Sequence, residues 1–285
     1  MWHFGSAWHT PCEKTPTMSI TALQSASSGL SALNTHLEVI SNNLANVNTP
    51  AYKTSRTNFQ DLLYVEKQQP GVENAQGDQR PIGLYIGLGV KATGTQVDFK
   101  QGPLLDTGRE LDVAIQGNGF FRVRVQDQIG DGFAYTRSGS FAVNSDGEIV
   151  LASDQGRRLE PNIVIPETAT KLSIDSTGRV FVQLPNQVGL EQIGQLELAT
   201  FINPAGLKQI GESLYAESAA SGAPALGNPG VDQRGTVTQR LLEGSNVDPT
   251  FELIDLIRTQ RAFEMNSNTI RAADQVLQTV AQLRR

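Results

Sequence analysis

The chain has 285 residues, 39% hydrophobic and 18% charged, with 23 Lys plus Arg against 29 Asp plus Glu for a formal net charge of −6. That length can bury a sizeable core in one or two domains, and the acidic balance argues against a nucleic-acid binder held by phosphate contacts. One cysteine, Cys12, excludes a disulfide framework and a zinc knuckle, and no run of about 18 apolar residues is present to insert into a lipid membrane.

Residues 1–17 differ in composition from the rest and hold both tryptophans, Trp2 and Trp8, with His3, His9 and Cys12. They lack the basic start and apolar run of a secretory signal. The segment reads as a disordered leader or an upstream mis-called start, and not as a His/Cys metal site. Without it the chain keeps one histidine, His36, and no cysteine.

Residues 18–62 are expected to form an N-terminal stem helix and turn. From Ile20 to Val47 apolar residues alternate at spacings of three and four: Leu23, Ala26, Leu30, Leu33, Leu37, Ile40, Leu44 and Val47. This is an a/d seam of the coiled-coil type. The other positions are Ser, Thr, Gln and Asn almost throughout, and Glu38 is the one formally charged side chain between Ser19 and Val47. Ser and Asn are poor helix formers, so this helix should be marginal alone and stable when packed. Small uncharged side chains suit a surface that meets protein on several sides. Asn46–Lys53 should stop the helix, because Pro50 lacks an N–H and biases Thr49 to an extended conformation.

Residues 63–100, with Gly and Pro scattered through Gln68–Gly89, read as an extended arm. Residues 101–235 read as a β-rich domain of sandwich or barrel type. Strands are expected at Leu111–Gln116, Phe120–Val125, Phe133–Arg137, Phe141–Val143, Ile149–Leu151, Ile163–Ile165, Leu172–Ile174, Val180–Leu184 and Leu196–Phe201. Asp131-Gly132, Asp146-Gly147 and Thr177-Gly178 supply turns between them. Ser218–Gly235 reads as a return linker.

Residues 236–285 are assigned to a C-terminal stem helix, with the helix itself over Ser245–Val280. Ser245, Asn246, Asp248 and Pro249 mark its start, and Leu256, Phe263, Ile270 and Leu277 recur every seven residues. Gln260 and Ser267 interrupt that seam, and Arg284 and Arg285 suit a helix C-terminus. The two seams are most simply buried against each other. The fold expected is α+β, with N- and C-terminal helices paired as a coiled-coil-like stem around an inserted β domain.

Catalytic patterns are missing. No H-E-x-x-H, G-x-S-x-G or P-loop motif occurs, and Gly117-Asn118-Gly119 leads into a strand with Arg122 where a dinucleotide loop needs glycine. Asn144–Glu148 reads as a hairpin turn and not a calcium loop. No catalytic residue, metal ligand or cofactor is assigned.

Three stretches resemble the bacterial flagellar rod and hook family: Asn42–Lys53, with Asn46, Thr49, Pro50 and Tyr52; Gln116–Phe121 with Tyr135–Phe141; and Ser245–Asp248 with Gln260–Ser267, including Asn246 and Arg261. The likeness spans 18–285 and is nearest to the distal rod subunits. Ala51 departs from it, since the family signature commonly has Gly there. The resemblance implies a non-enzymatic subunit of the distal rod, crossing the periplasm and transmitting torque from motor to hook. It implies export through the flagellar type III apparatus and assembly into a helical homopolymer. The partners it implies are other rod proteins, the hook protein at the ends and the surrounding ring or bushing proteins. Alternatives are a proximal rod or hook subunit, or a secreted carbohydrate-binding or hydrolytic β protein.

Overall fold

The computed structural model describes residues 17–71, 81–126, 130–185 and 189–283. The leader, with His3, His9 and Cys12, lies outside the described residues up to position 16, as do Arg284 and Arg285. The order of elements is one N-terminal helix, a long run of short strands and one C-terminal helix, an α+β arrangement. No described helix is long and apolar enough to cross a membrane.

Helix α1 covers Thr17–Ala45 and α2 covers Pro249–Leu283. The carboxylate of Asp248 caps α2 by accepting from the backbone N–H groups of Thr250 (2.9 Å) and Phe251 (3.3 Å), with Pro249 next in line. The start therefore falls four residues after the expected Ser245. Residues 236–243, assigned to the stem segment, form two strands, Thr236–Gln239 and Leu241–Glu243.

The chain divides into two compact units. The first holds Met1–Val39, Thr57–Gly94 and Asp255–Arg285. In it, α1 and α2 approach at Gly29, where an added Cβ would lie 3.0 Å from Asn266 Nδ2, and at His36, whose Nε2 is 3.0 Å from Asp255 Oδ2. His36 also meets Phe59 edge-on. The small residues of α1 serve a neighbour from the same chain, because Ser28 Oγ accepts from the Val90 N–H at 3.3 Å beside Gly89, which has φ +116°. The expected arm is more regular than its composition suggested. Tyr64–Gln68 pairs with Leu84–Gly87, and Ser55–Asp61 pairs with Val90–Val97. Gly and Pro punctuate these hairpins without abolishing them.

The second unit holds Ile40–Arg56 and Thr95–Ile254. Its largest sheet has seven strands: Lys208–Gly211, Leu214–Ala216, Phe133–Thr136, Phe120–Arg124, Leu198–Thr200 and Ala225–Gly227 in spatial order, with Leu159–Glu160 also on Phe120–Arg124. Lys171–Ile174, Arg179–Gln183 and Leu190–Gln195 form a three-stranded meander. Val113–Gln116 pairs with Thr236–Gln239, Leu104–Asp106 with Leu241–Glu243, and Phe141–Val143 with Ile149–Leu151. Apart from the pair of Leu104–Asp106 with Leu241–Glu243, these sheets share one apolar core that includes Ile115, Phe121, Val123, Phe141, Ile149, Val180 and Leu198. The described sheets form no closed barrel.

Two expectations fail in this unit. Ile163–Ile165 is no strand: Val164 makes a single bridge to Glu148, because Pro161 and Pro166 at either side prevent a ladder from extending. The linker over Ser218–Gly235 contains a strand, Ala225–Gly227, paired with Leu198–Thr200.

Candidate functional site

The turn after α1 is built from its own side chains. Asn46 Nδ2 donates to the Asn42 carbonyl (2.9 Å), and Thr49 Oγ1 donates to Asn46 Oδ1 (3.1 Å). Ala51 then takes φ +58°, and its N–H donates to the Glu243 carbonyl at 2.8 Å. This left-handed position follows Pro50 and leads into Lys53, which is buried within the second unit.

Asn43, 2% exposed, spends its whole amide here. Its Oδ1 accepts from the Ser55 N–H (3.0 Å) and the Tyr52 hydroxyl (3.1 Å), while Nδ2 donates to the Ser55 carbonyl (2.8 Å) and Glu252 Oε1 (3.1 Å). Asn246 is used as fully: Oδ1 accepts from the Thr54 N–H (2.7 Å) and hydroxyl (2.9 Å), and Nδ2 donates to the carbonyls of Asp98 (2.8 Å) and Lys100 (3.1 Å). Ser245 is buried, and its hydroxyl accepts from the Val247 N–H.

Beneath them lies an ion cluster. Lys53 Nζ is 2.6 Å from Glu243 Oε1, and neither side chain has solvent exposure. Arg137 Nε donates to Glu243 Oε2 at 2.9 Å. Its Nη1 donates to the carbonyls of Gly117 and Gly119, both at 2.7 Å. Gly119 has φ +141° and Gly139 sits where a Cβ would run into the Val113 carbonyl, so both glycines are steric requirements of this packing. Burial works to raise the Glu243 carboxyl, but Arg137 and Lys53 outweigh it and hold it below the ordinary value. Burial lowers the Lys53 ammonium against the pull of Glu243. A cation left unpaired at this depth would be costly, so the cluster fixes one arrangement of the segments that carry it.

The motif residues separate into two groups. Asn46, Thr49, Pro50, Tyr52, Ser245 and Asn246 gather at this joint, whereas Gln260 and Arg261 are exposed on α2. Of the stem residues, Ile40 is 1% exposed, and Leu23, Leu30, Leu33, Leu37, Leu44, Leu256, Phe263, Ile270 and Leu277 are half-buried. Asn43, Lys53 and Arg137 lie inside the motif stretches but were given no role from the sequence, and Glu243 lies outside them. For Arg137 and Glu243 the signal is charge at the end of an apolar strand, as in Tyr135-Thr136-Arg137 and Leu241-Leu242-Glu243. Among the described residues no group of three or more His, Cys, Asp or Glu side chains could hold a metal.

Three family profiles match the chain: the flagella basal body rod protein family over residues 23–53, the flagellar hook protein FlgE/F/G D1 domain over 114–182, and the flagellar basal body rod FlgEFG C-terminal family over 238–283. The chain is 43% identical over 261 residues to the flagellar basal-body rod protein FlgG of Agrobacterium fabrum, covering 91% of this chain and 98% of that protein. The chain belongs to the FlgG family of flagellar basal-body rod proteins. The FlgG of Bacillus subtilis is 38% identical over 273 residues, covering 93% of this chain and 100% of its own length. The FlgG of Caulobacter vibrioides is 43% identical over 264 residues, covering 92% and 99%. The ion cluster gives these matches a physical meaning. Lys53 comes from the first family segment, Arg137 from the second and Glu243 from the third, so three separated signatures close on one buried carboxylate.

Proposed function

We propose that the chain is a structural, non-enzymatic subunit of the distal rod of the flagellar basal body. It polymerises with copies of itself into a helical tube that crosses the periplasm and carries torque to the hook. Other rod proteins and the hook protein would meet it at the ends, ring or bushing proteins would surround it, and the type III apparatus would export it.

The observation that carries this reading is the unspent apolar surface of the two helices. On α1, Ala26, Ile40 and the polar Asn43 are buried within the chain, while Leu23, Leu30, Leu37 and Leu44 stay half-exposed. On α2, Phe251 is 73% exposed, Met265 64% and Val276 60%, and Thr259 is its one buried described residue. A monomer that leaves such lines in water gains by covering them with neighbours, and head-to-tail contacts that do not close make filaments. The coiled-coil-like seam would then be completed between copies as well as within one. An antiparallel course of α1 and α2 supports it, since partner numbers fall on α2 as they rise on α1: Gly29 with Asn266, and His36 with Asp255.

The test is Leu37→Asp in the full chain. It should abolish sedimentable polymer and rod completion, seen by electron microscopy, while thermal unfolding of the β unit, to which Leu37 does not belong, stays within about 1 kcal/mol. Polymer at wild-type yield from this variant would refute the seam's role in assembly. Turnover of a polysaccharide by the wild-type chain would favour the hydrolytic alternative.

A further inference from the structure

We infer that a pocket beside the outer strand of the seven-stranded sheet receives a carboxylate-bearing side chain from a second copy of this chain. The inference rests on the homopolymer reading and names one of its contacts. The pocket encloses about 440 Å³, with Phe120, Phe201, Ile202 and Arg137 among its lining residues. Phe120 and Phe201 meet edge-on at 5.8 Å, part of an aromatic cluster with Phe99, Tyr135 and Tyr215. The guanidinium carbon of Arg137 lies 6.0 Å from the centre of the Phe120 ring.

Arg137 supplies the chemistry. Its side chain is only 4% exposed. Nε is spent on Glu243 and Nη1 on two glycine carbonyls, but Nη2 has no hydrogen-bond acceptor among the described residues. A guanidinium carries five donors, so the two on Nη2 remain after these three bonds, and Arg137 lines the pocket. Charge points the same way. Two buried cations, Lys53 and Arg137, share the single carboxylate of Glu243. Asp98 also acts on Lys53, but its side chain is 43% exposed, where water weakens it. The pocket's own carboxylate, Asp232, is bound to Arg234 at 3.1 Å. An incoming carboxylate would therefore complete a charge-assisted pair in an aromatic, poorly hydrated setting.

A second copy fits better than a small anion. Ile202 is 94% exposed at this pocket, and a small anion would leave it in water, whereas a protein surface would cover it. With 29 acidic against 23 basic residues, a copy of the chain has carboxylates to present. Strand addition is the less suitable mode, because the Leu226 carbonyl on the outer strand already accepts from Arg234 Nη2 at 3.0 Å. The geometry suits insertion of a side chain.

The experiment uses two rim variants of the full chain, Ile202→Asp and Ala223→Glu, which place a competing carboxylate at the pocket and keep Lys53, Arg137 and Glu243 themselves. Each should raise the concentration needed for sedimentable polymer at least tenfold, with a melting curve no lower than that of wild type. A benzoylphenylalanine photo-crosslinker at position 202 should give an adduct of twice the chain mass in assembled material. If wild-type chain polymerises and both variants match it, or the crosslinker yields no such adduct, the pocket assignment is wrong while the homopolymer reading stands. If wild-type chain never polymerises, the homopolymer reading itself fails.

Discussion

Ala51 occupies a left-handed conformation, φ +58°, that a Cβ makes unfavourable by roughly 1–2 kcal/mol. The methyl is nonetheless 1% exposed, so its burial returns about 0.8 kcal/mol, and glycine would cost extra chain entropy on folding. These effects nearly cancel, which explains how alanine persists where the family commonly has glycine. Ala51→Gly should therefore change unfolding free energy by less than about 1 kcal/mol, whereas the β-branched Ala51→Val should cost more than about 2 kcal/mol by denaturant titration. The ion cluster makes an asymmetric prediction. Glu243→Met leaves two buried cations unpaired and should cost about 3–5 kcal/mol. Lys53→Met leaves the Arg137–Glu243 pair intact and should cost clearly less, which paired chemical melts would reveal. Because the folded Glu243 carboxyl lies below its ordinary value, its stabilisation is complete above the unfolded value near pH 4.5 and fades as pH falls through the lower, folded value. Acid unfolding of wild type should show that added loss below about pH 4, and Glu243→Met should lack it.

At the scale of elements, α1 carries two apolar lines with different work to do. Ile40 and Ala26 are buried within the single chain, while Leu30 and Leu37 are not. Ile40→Ala should thus destabilise the monomer by about 2–5 kcal/mol, as core truncations do. Leu30→Asp should leave the β unit folded and fail in assembly, measured by sedimentation against the melt of that unit. Gly29 separates packing within the chain from packing between chains in another way. A Cβ there would lie 3.0 Å from Asn266 Nδ2, so Gly29→Leu should push the helices apart and lower helical content by circular dichroism.

For the whole molecule, the contrast between ends and middle governs behaviour. The β unit owns the large apolar core, whereas the helices expose much of theirs in a single copy. Brief proteolysis of the unassembled chain should remove helical ends first and leave a resistant fragment of roughly 100–243, identified by mass. Alkali should act on the middle. Burial, with Glu217 adding to it, pushes the Tyr135 phenol up to about 12. The folded state then holds a proton that the unfolded chain releases near pH 10, so stability should fall between about pH 10 and 12. Tyr135→Phe should make that limb shallower, with Tyr215, whose phenol burial also raises, keeping the remainder.

The heptad spacing of Leu23, Leu30, Leu37 and Leu44, the end of the helix before Asn46–Lys53 and the hairpin at Asn144–Glu148 were legible in the sequence, because each depends on residues within a turn or two of one another. Family membership was legible too, through three motifs that each lie within a short stretch of chain. Hidden from it were the strands of residues 55–97, where scattered Gly and Pro mask the alternation, and those of 236–243, whose pairing partners lie more than a hundred residues back along the chain. The role of Lys53, Arg137 and Glu243 was equally out of reach. Each is an ordinary charged residue in its local setting, and only folding across separations of up to 190 residues takes all three out of water and makes one carboxylate the meeting point of three family segments.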